Sequence, residues 1–119
     1  MITGIAFTGY KVTDLDRARA FYEGVLGLKM SEAMAGGKWI EYNVNGAILA
    51  LTTLGENWTP SDQGPAVAFE VDDLDAMVAT LKAHGTKFSM EKMESPVCWI
   101  AIAHDPDGNK IVFHKLKTA

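Results

Sequence analysis

The chain has 119 residues, 48 % of them hydrophobic and 22 % charged, which is enough apolar material for a packed core and excludes a disordered chain. The net charge is −4, and the eleven basic residues are scattered, with the densest group at Lys110, Lys115 and Lys117; that balance excludes a phosphate-backbone binder. Cys98 is the one cysteine, so neither an intramolecular disulfide nor a multi-cysteine metal site can form, and a cytoplasmic protein is expected. No stretch approaches the roughly 18 consecutive apolar residues of a membrane span, and Met1 to Tyr10 lacks the basic start and apolar run of a signal peptide.

In chain order, Ile5 to Val12 reads as a strand. Thr13 or Asp14 then caps a helix in which Leu15, Ala18, Tyr22, Val25 and Leu26 recur at helical spacing, and Gly27 ends it. Three strand-like segments follow at about 29–35, 38–44 and 47–54. Asn45-Gly46 supplies the positive-φ pair that a two-residue hairpin favours. Gly55 to Gly64 is polar, carries Pro60 and reads as a surface connection.

The pattern then repeats. Val12-Thr-Asp-Leu-Asp returns as Val71-Asp-Asp-Leu-Asp, 59 positions on, and Ala20 matches Ala79. Ala66 to Val71 reads as a strand. Asp72 or Asp73 caps a helix striped by Leu74, Met77, Val78 and Leu81, and Gly85 ends that helix. Strands follow at about 86–94, 97–104 and 110–116, with Asp105-Pro-Asp-Gly-Asn109 as the last turn. The organisation is βαβββ twice: module one at about 1–55, a linker at 56–64 and module two at about 65–119. Such a module leaves one sheet face bare, so two of them, or two chains, must pair their sheets.

Val12-Thr-Asp-Leu-Asp with Ala20-Phe-Tyr-Glu-Gly-Val-Leu-Gly-Leu28 resembles the opening motif of the glyoxalase/bleomycin-resistance, or vicinal oxygen chelate, family. Ala68-Phe-Glu-Val-Asp-Asp-Leu74, Leu81 to Gly85 and Asp105-Pro-Asp-Gly-Asn109 resemble its second half, so the likeness spans nearly the whole chain. It implies an α+β fold: two paired βαβββ modules forming a U-shaped mixed sheet with an enclosed cleft. It also implies a divalent metal held by His and Glu side chains from four strands. By the family's spacing those positions are Phe7, Ala50, Ala66 and Val112, none of which carries a donor for a hard cation. A slip of one residue finds Ala6, Thr8, Leu49, Leu51, Pro65, Val67, Ile111 and Phe113, which restore nothing. No metal or other cofactor is therefore expected.

Other residues bear on a site. His114 shares strand parity with Val112 and is the one candidate acid or base; Glu70 shares parity with Ala66 and Ala68. Glu41 interrupts an apolar strand and could recognise a cation. Trp39 and Trp99 sit at comparable places in the two modules and are expected to line the cleft together, with Trp58 in the linker as a candidate lid. Met30, Met34, Met90 and Met93 could add an adaptable apolar wall. His84 and His104 read as structural or turn-adjacent, Cys98 as buried and inert, and Tyr10 and Tyr22 as packing between helix and sheet.

The expected ligand-binding residues are thus Phe7, Trp39, Ala50, Ala66, Glu70, Trp99, Val112 and His114. The expected function is binding of a small apolar or aromatic molecule, cationic ones included, by a protein that dimerises. Two rivals stand beside it. One is a lyase, isomerase or dioxygenase using a shifted metal site or His114 with a carboxylate. The other is a dimeric regulatory domain.

Overall fold

Both Val-x-Asp-Leu-Asp segments turn strand into helix through the aspartate just before the leucine. In the computed structural model, which describes residues 1–117, the carboxylate of Asp14 accepts the amide of Arg17 at 3.1 Å, and that of Asp73 accepts the amide of Ala76 at 3.0 Å. Each satisfies a donor that the first helical turn would leave bare. The chain divides into two compact units, Met1–Pro60 and a second beginning at Ser61.

In the first unit, β1 (Thr8–Lys11) leads to α1 (Leu15–Arg19), then β2 (Met30–Met34), β3 (Trp39–Val44) and β4 (Ala47–Thr52). The sheet order is β1-β4-β3-β2, parallel between β1 and β4 and antiparallel elsewhere. The second unit repeats this with β5 (Val67–Glu70), α2 (Leu74–Ala83), β6 (Phe88–Glu94), β7 (Cys98–His104) and β8 (Lys110–Leu116), in the order β5-β8-β7-β6. The protein is therefore α+β, built from two four-stranded mixed sheets, each with one main helix. Among the described residues, no helix is long and apolar enough to cross a membrane.

Strand parity decides which side chains meet the helix. In the first unit Tyr10, Ile40, Tyr42, Leu49 and Leu51 are buried, together with Ala18, Phe21 and Tyr22 from the helical segment. Tyr22 lies 6.4 Å from Tyr10 and 6.3 Å from Tyr42, ring centre to ring centre. In the second unit Leu74 and Leu81 are buried with Ala101, Ala103, Ile111 and Phe113.

Three local features depart from the sequence pattern. β1 begins at Thr8 rather than near Ile5, which is 91 % exposed. The first helix is α-helical only to Arg19 and continues as a π-helical turn over Ala20–Val25, with the Leu26 amide reaching back to the Phe21 carbonyl. The wider turn narrows the angle between consecutive side chains, so neighbouring Phe21 and Tyr22 both point inward. At β2 the register shifts between Met30 and Glu32, so Met30 pairs with Tyr42 on the helix side and Met34 with Trp39 on the other.

The turns agree with their residues. Asn45 and Gly46 have φ of 51° and 97°, and the Asn43 carboxamide accepts the Gly46 amide. The buried Asp105 carboxylate accepts the amides of Asp107 and Asn109 and the Asn109 side chain, each at 2.9 Å.

One polar tie crosses the first core. The fully buried Tyr42 hydroxyl donates to Glu23 Oε2 at 2.8 Å, and Arg19 Nε donates to the same oxygen at 2.6 Å. Arg19, opposed by desolvation and aided by Tyr42, holds the Glu23 carboxyl below its ordinary range; burial, with Glu23, pushes the Tyr42 hydroxyl up. Tyr42→Phe is expected to cost about 1–3 kcal/mol in denaturant unfolding, because the core loses a hydrogen bond to a charged partner. Because the folded Glu23 value is lowered, its stabilisation is present at neutral pH and lost as pH falls through that lowered value. Melting temperatures of Glu23→Gln measured on acidification should start lower than those of the parent and fall less steeply.

Candidate functional site

The face of each sheet turned away from its helix carries the side chains of opposite parity. Across the first sheet, Gly9, Ala50, Glu41 and Glu32 are successive lateral partners, and one step along the strands come Lys11, Thr52, Trp39 and Met34. Phe7 immediately precedes β1, and its ring meets that of Trp39 edge to face, at 5.0 Å and 88°. The Trp39 indole Nε1–H donates to Glu41 Oε2 at 2.8 Å. This bond fixes the ring and sets one carboxylate against it.

Gly9 makes room for a third ring. A Cβ on Gly9 would lie 3.0 Å from the outer edge of the Trp58 ring and 3.2 Å from the Phe7 ring, so a side chain there would displace them. The Trp58 ring and Cβ also rest over Gly55. Trp58, from the polar connection, is thereby set against the same face. Ala50 is fully buried, Trp39 and Glu41 are half-buried, and Phe7 and Trp58 remain 43 % and 37 % exposed. The result is three aromatic rings and a carboxylate around a strand floor of Gly9 and Ala50.

The equivalent face of the second sheet differs. Ala68, Val112, Ile102 and Met90 form one lateral row, and Glu70, His114, Ile100 and Met93 the next. Ala66 immediately precedes β5. Glu70 Oε1 accepts His114 Nδ1–H in a close contact, and Glu70 Oε2 accepts the Leu116 amide at 2.9 Å. The Leu116 amide first and the His114 ring second hold the Glu70 carboxyl below its ordinary range.

Trp99 does not share this face. It pairs with Lys115 and has the parity of Ala101 and Ala103, on the side that α2 covers. Lys92 Nζ and Lys117 Nζ stand 4.7 Å and 4.9 Å from its ring centre, and Lys92 also binds Asp75 of α2. The expectation that Trp39 and Trp99 line one wall is therefore corrected. The offset between the units has already grown to 61 by β7, upstream of the Asp105 turn, so the lateral equivalent of Trp39 is Ile100, the residue after Trp99. His104 is engaged by Ser89 at 2.6 Å, His84 by the Thr80 carbonyl at 2.9 Å, and buried Cys98 by Ser95 at 3.0 Å.

Gly9 joins the site unanticipated, and Glu41 and Trp58, considered from the sequence as a cation partner and a lid, stand on the same face. A glycine in a strand between Thr8 and Tyr10 signals close approach of another group. Nothing in the sequence says that the approaching group is Trp58.

The donor chemistry does not fit a divalent ion at the positions the resemblance marks. Phe7, Ala50, Ala66 and Val112 offer carbon alone, and among the described residues no group of three or more His, Cys, Asp or Glu is placed to hold a metal. What the faces can do is hold a flat or cationic group against rings and a carboxylate, and exchange a proton at His114.

A sequence model described as the Glyoxalase/Bleomycin resistance protein/Dioxygenase superfamily matches residues 4–113. A lactoylglutathione lyase of Haemophilus influenzae is 30 % identical over 96 % of this chain and 93 % of its own. Among solved structures, a glyoxalase family protein from Bacillus anthracis (TM-score 0.80, 21 % identity) and TnmS3, an antibiotic binding protein from Streptomyces sp. CB03234 (TM-score 0.81, 24 % identity), each align over 98 % of both chains. With its two βαβββ units and a match covering nearly its full length, the chain belongs to the glyoxalase/bleomycin resistance/dioxygenase superfamily.

Proposed function

We propose that this protein is a metal-free small-molecule binder whose ligand is flat and apolar or aromatic, including organic cations. The observation that carries this reading is the Trp39 ring. It is held by Phe7 at its side and by Glu41 at its nitrogen, on the face where the family's metal chemistry would otherwise begin. A ring fixed before binding loses little freedom when a planar ligand stacks on it. A carboxylate beside such rings favours a positive charge on that ligand, in keeping with a chain of net charge −4. TnmS3, alike in fold, is an antibiotic binding protein, which supports the same direction.

The lyase reading draws on the Haemophilus influenzae relative. Against it stands the donor set, since Phe7, Ala50, Ala66 and Val112 cannot polarise a substrate oxygen through a metal. The two readings separate in solution. Elemental analysis of purified protein should find no stoichiometric Zn, Ni, Fe or Mn, and lactoylglutathione should be neither formed nor consumed. One tightly held ion per chain, or turnover that a chelator abolishes, would favour the lyase.

Binding itself is read from tryptophan fluorescence with two planar probes, neutral 9-anthracenemethanol and cationic 9-aminoacridine. Both should bind equally well with and without EDTA. Trp39→Ala should weaken both roughly tenfold, the order expected for loss of an aromatic partner with its buried area. Glu41→Gln should weaken the cation alone. Failure of either probe to bind at saturating concentration would remove the aromatic face from the assignment.

A further inference from the structure

We infer that Glu70 and His114 form a second, polar site, in which a carboxylate-fixed imidazole accepts a proton from an acidic hydroxyl, phenolic or enolic, on a bound molecule. This assignment stands on residues of the second unit and does not depend on the aromatic face of the first.

The two side chains are direct lateral partners across the parallel β5–β8 pair, so the backbone itself sets their spacing. Both carboxylate oxygens are engaged, Oε1 by the His114 ring and Oε2 by the Leu116 amide. The carboxylate cannot swing away without giving up both bonds. An ionised carboxylate only accepts, so the hydrogen of the neutral ring resides on Nδ1 and the lone pair on Nε2. Among the described residues no hydrogen-bond partner faces Nε2. The Glu70 side chain is 54 % exposed and that of His114 28 %, and the nearest positions on the same face, Ile100 beside His114 and Val112 and Ala68 one row along, are apolar. The base therefore opens onto an accessible, carbon-lined patch.

The fold does not require this pair. In the first unit the Val12 amide bonds to the Thr52 carbonyl at 2.9 Å; in the second the Val71 amide bonds to the His114 carbonyl at 2.8 Å. Thr52 and His114 are thus equivalent, as are their lateral partners Lys11 and Glu70. The same backbone closure forms there with Lys and Thr, so the acid–base pair is particular to the second unit.

The transfer is simple to balance. The ligand's O–H bond breaks and its electron pair stays on oxygen. The proton forms an N–H bond at Nε2, and Glu70 faces the resulting imidazolium. No other reactant is needed. The same arrangement gives an O–H compound an advantage over its methyl ether, since the ether has no proton to give.

The test uses 4-nitrophenol, whose phenolate is coloured, and 4-nitroanisole as the ether, at a pH where most of the free phenol is protonated. Titration with the full-length protein should raise the phenolate band to a one-to-one plateau, with 4-nitrophenol bound roughly tenfold tighter than 4-nitroanisole. His114→Gln should abolish the rise. Glu70→Gln should reduce the phenol's advantage while leaving the ether's affinity unchanged, a split that a merely structural role would not produce. No binding of 4-nitrophenol, an unchanged band at saturation or a band that persists in His114→Gln would overturn the inference. Should either variant fail to fold, nitrogen NMR of the parent decides: the Nδ1–H tautomer of His114 supports the site, and the Nε2–H tautomer overturns it.

Discussion

Each sheet has two faces and only one covering helix, and strand parity keeps the two sets of side chains apart. That constraint organises the whole molecule. Residues such as Ile40, Tyr42, Leu49 and Leu51 must be apolar because α1 and its π-helical extension seal them from water. Their neighbours one step along, Trp39, Glu41 and Ala50, face the other way and carry no such obligation. A register error of one residue would expose the core and bury the site, so the fold fixes the position of the functional face as firmly as it fixes its own interior.

The repeat was legible because helix starts and turns depend on single residues. Asp14 and Asp73 cap their helices 59 positions apart, and Asn45-Gly46 adopts the positive φ that the pair permits. These are local effects, and a linear reading recovers them. The length of β1 was not legible, since Ile5 and Ala6 look as strand-like as Tyr10 and only the pairing partner decides. The π-helical turn escaped for a related reason. Helical spacing predicts Tyr22, Val25 and Leu26 on one stripe, whereas packing rewards burying adjacent Phe21 and Tyr22 together.

The site shows the same division. Phe7, Ala50, Ala66 and Val112 could be placed because motif and strand spacing are both counted along the chain. Trp99 could not, because the offset between repeats is not constant. It is 59 at β1 and β5, has grown to 61 by β3 and β7, and reaches 62 after the five-residue Asp105 turn replaces the tighter Asn45-Gly46 turn. Parity amplifies such a change, and a tryptophan expected beside the ligand stands instead on the helix side between Lys92 and Lys117. The Glu70–His114 contact lay between these cases: common parity was visible, but lateral pairing across 44 residues was not.

The two helix-free faces carry different side chains on sheets of the same strand order. The first carries rings with a carboxylate, and the second carries aliphatic side chains with an imidazole–carboxylate pair. A metal centre in this family would tie chemistry to four fixed positions, and substitution of those positions by Phe7, Ala50, Ala66 and Val112 removes that tie. Once no ion has to be held, neighbouring positions on the same parity are free to specialise separately. Glu41 can orient Trp39, and Glu70 can orient His114, each over a distance of one lateral or next-nearest step. The scaffold thus preserves a rigid frame on which polar groups are aimed by their own neighbours rather than by a shared cation. On the proposed reading that frame offers rings to a flat ligand and an imidazole to a bound hydroxyl, with no change to the residues that make the fold.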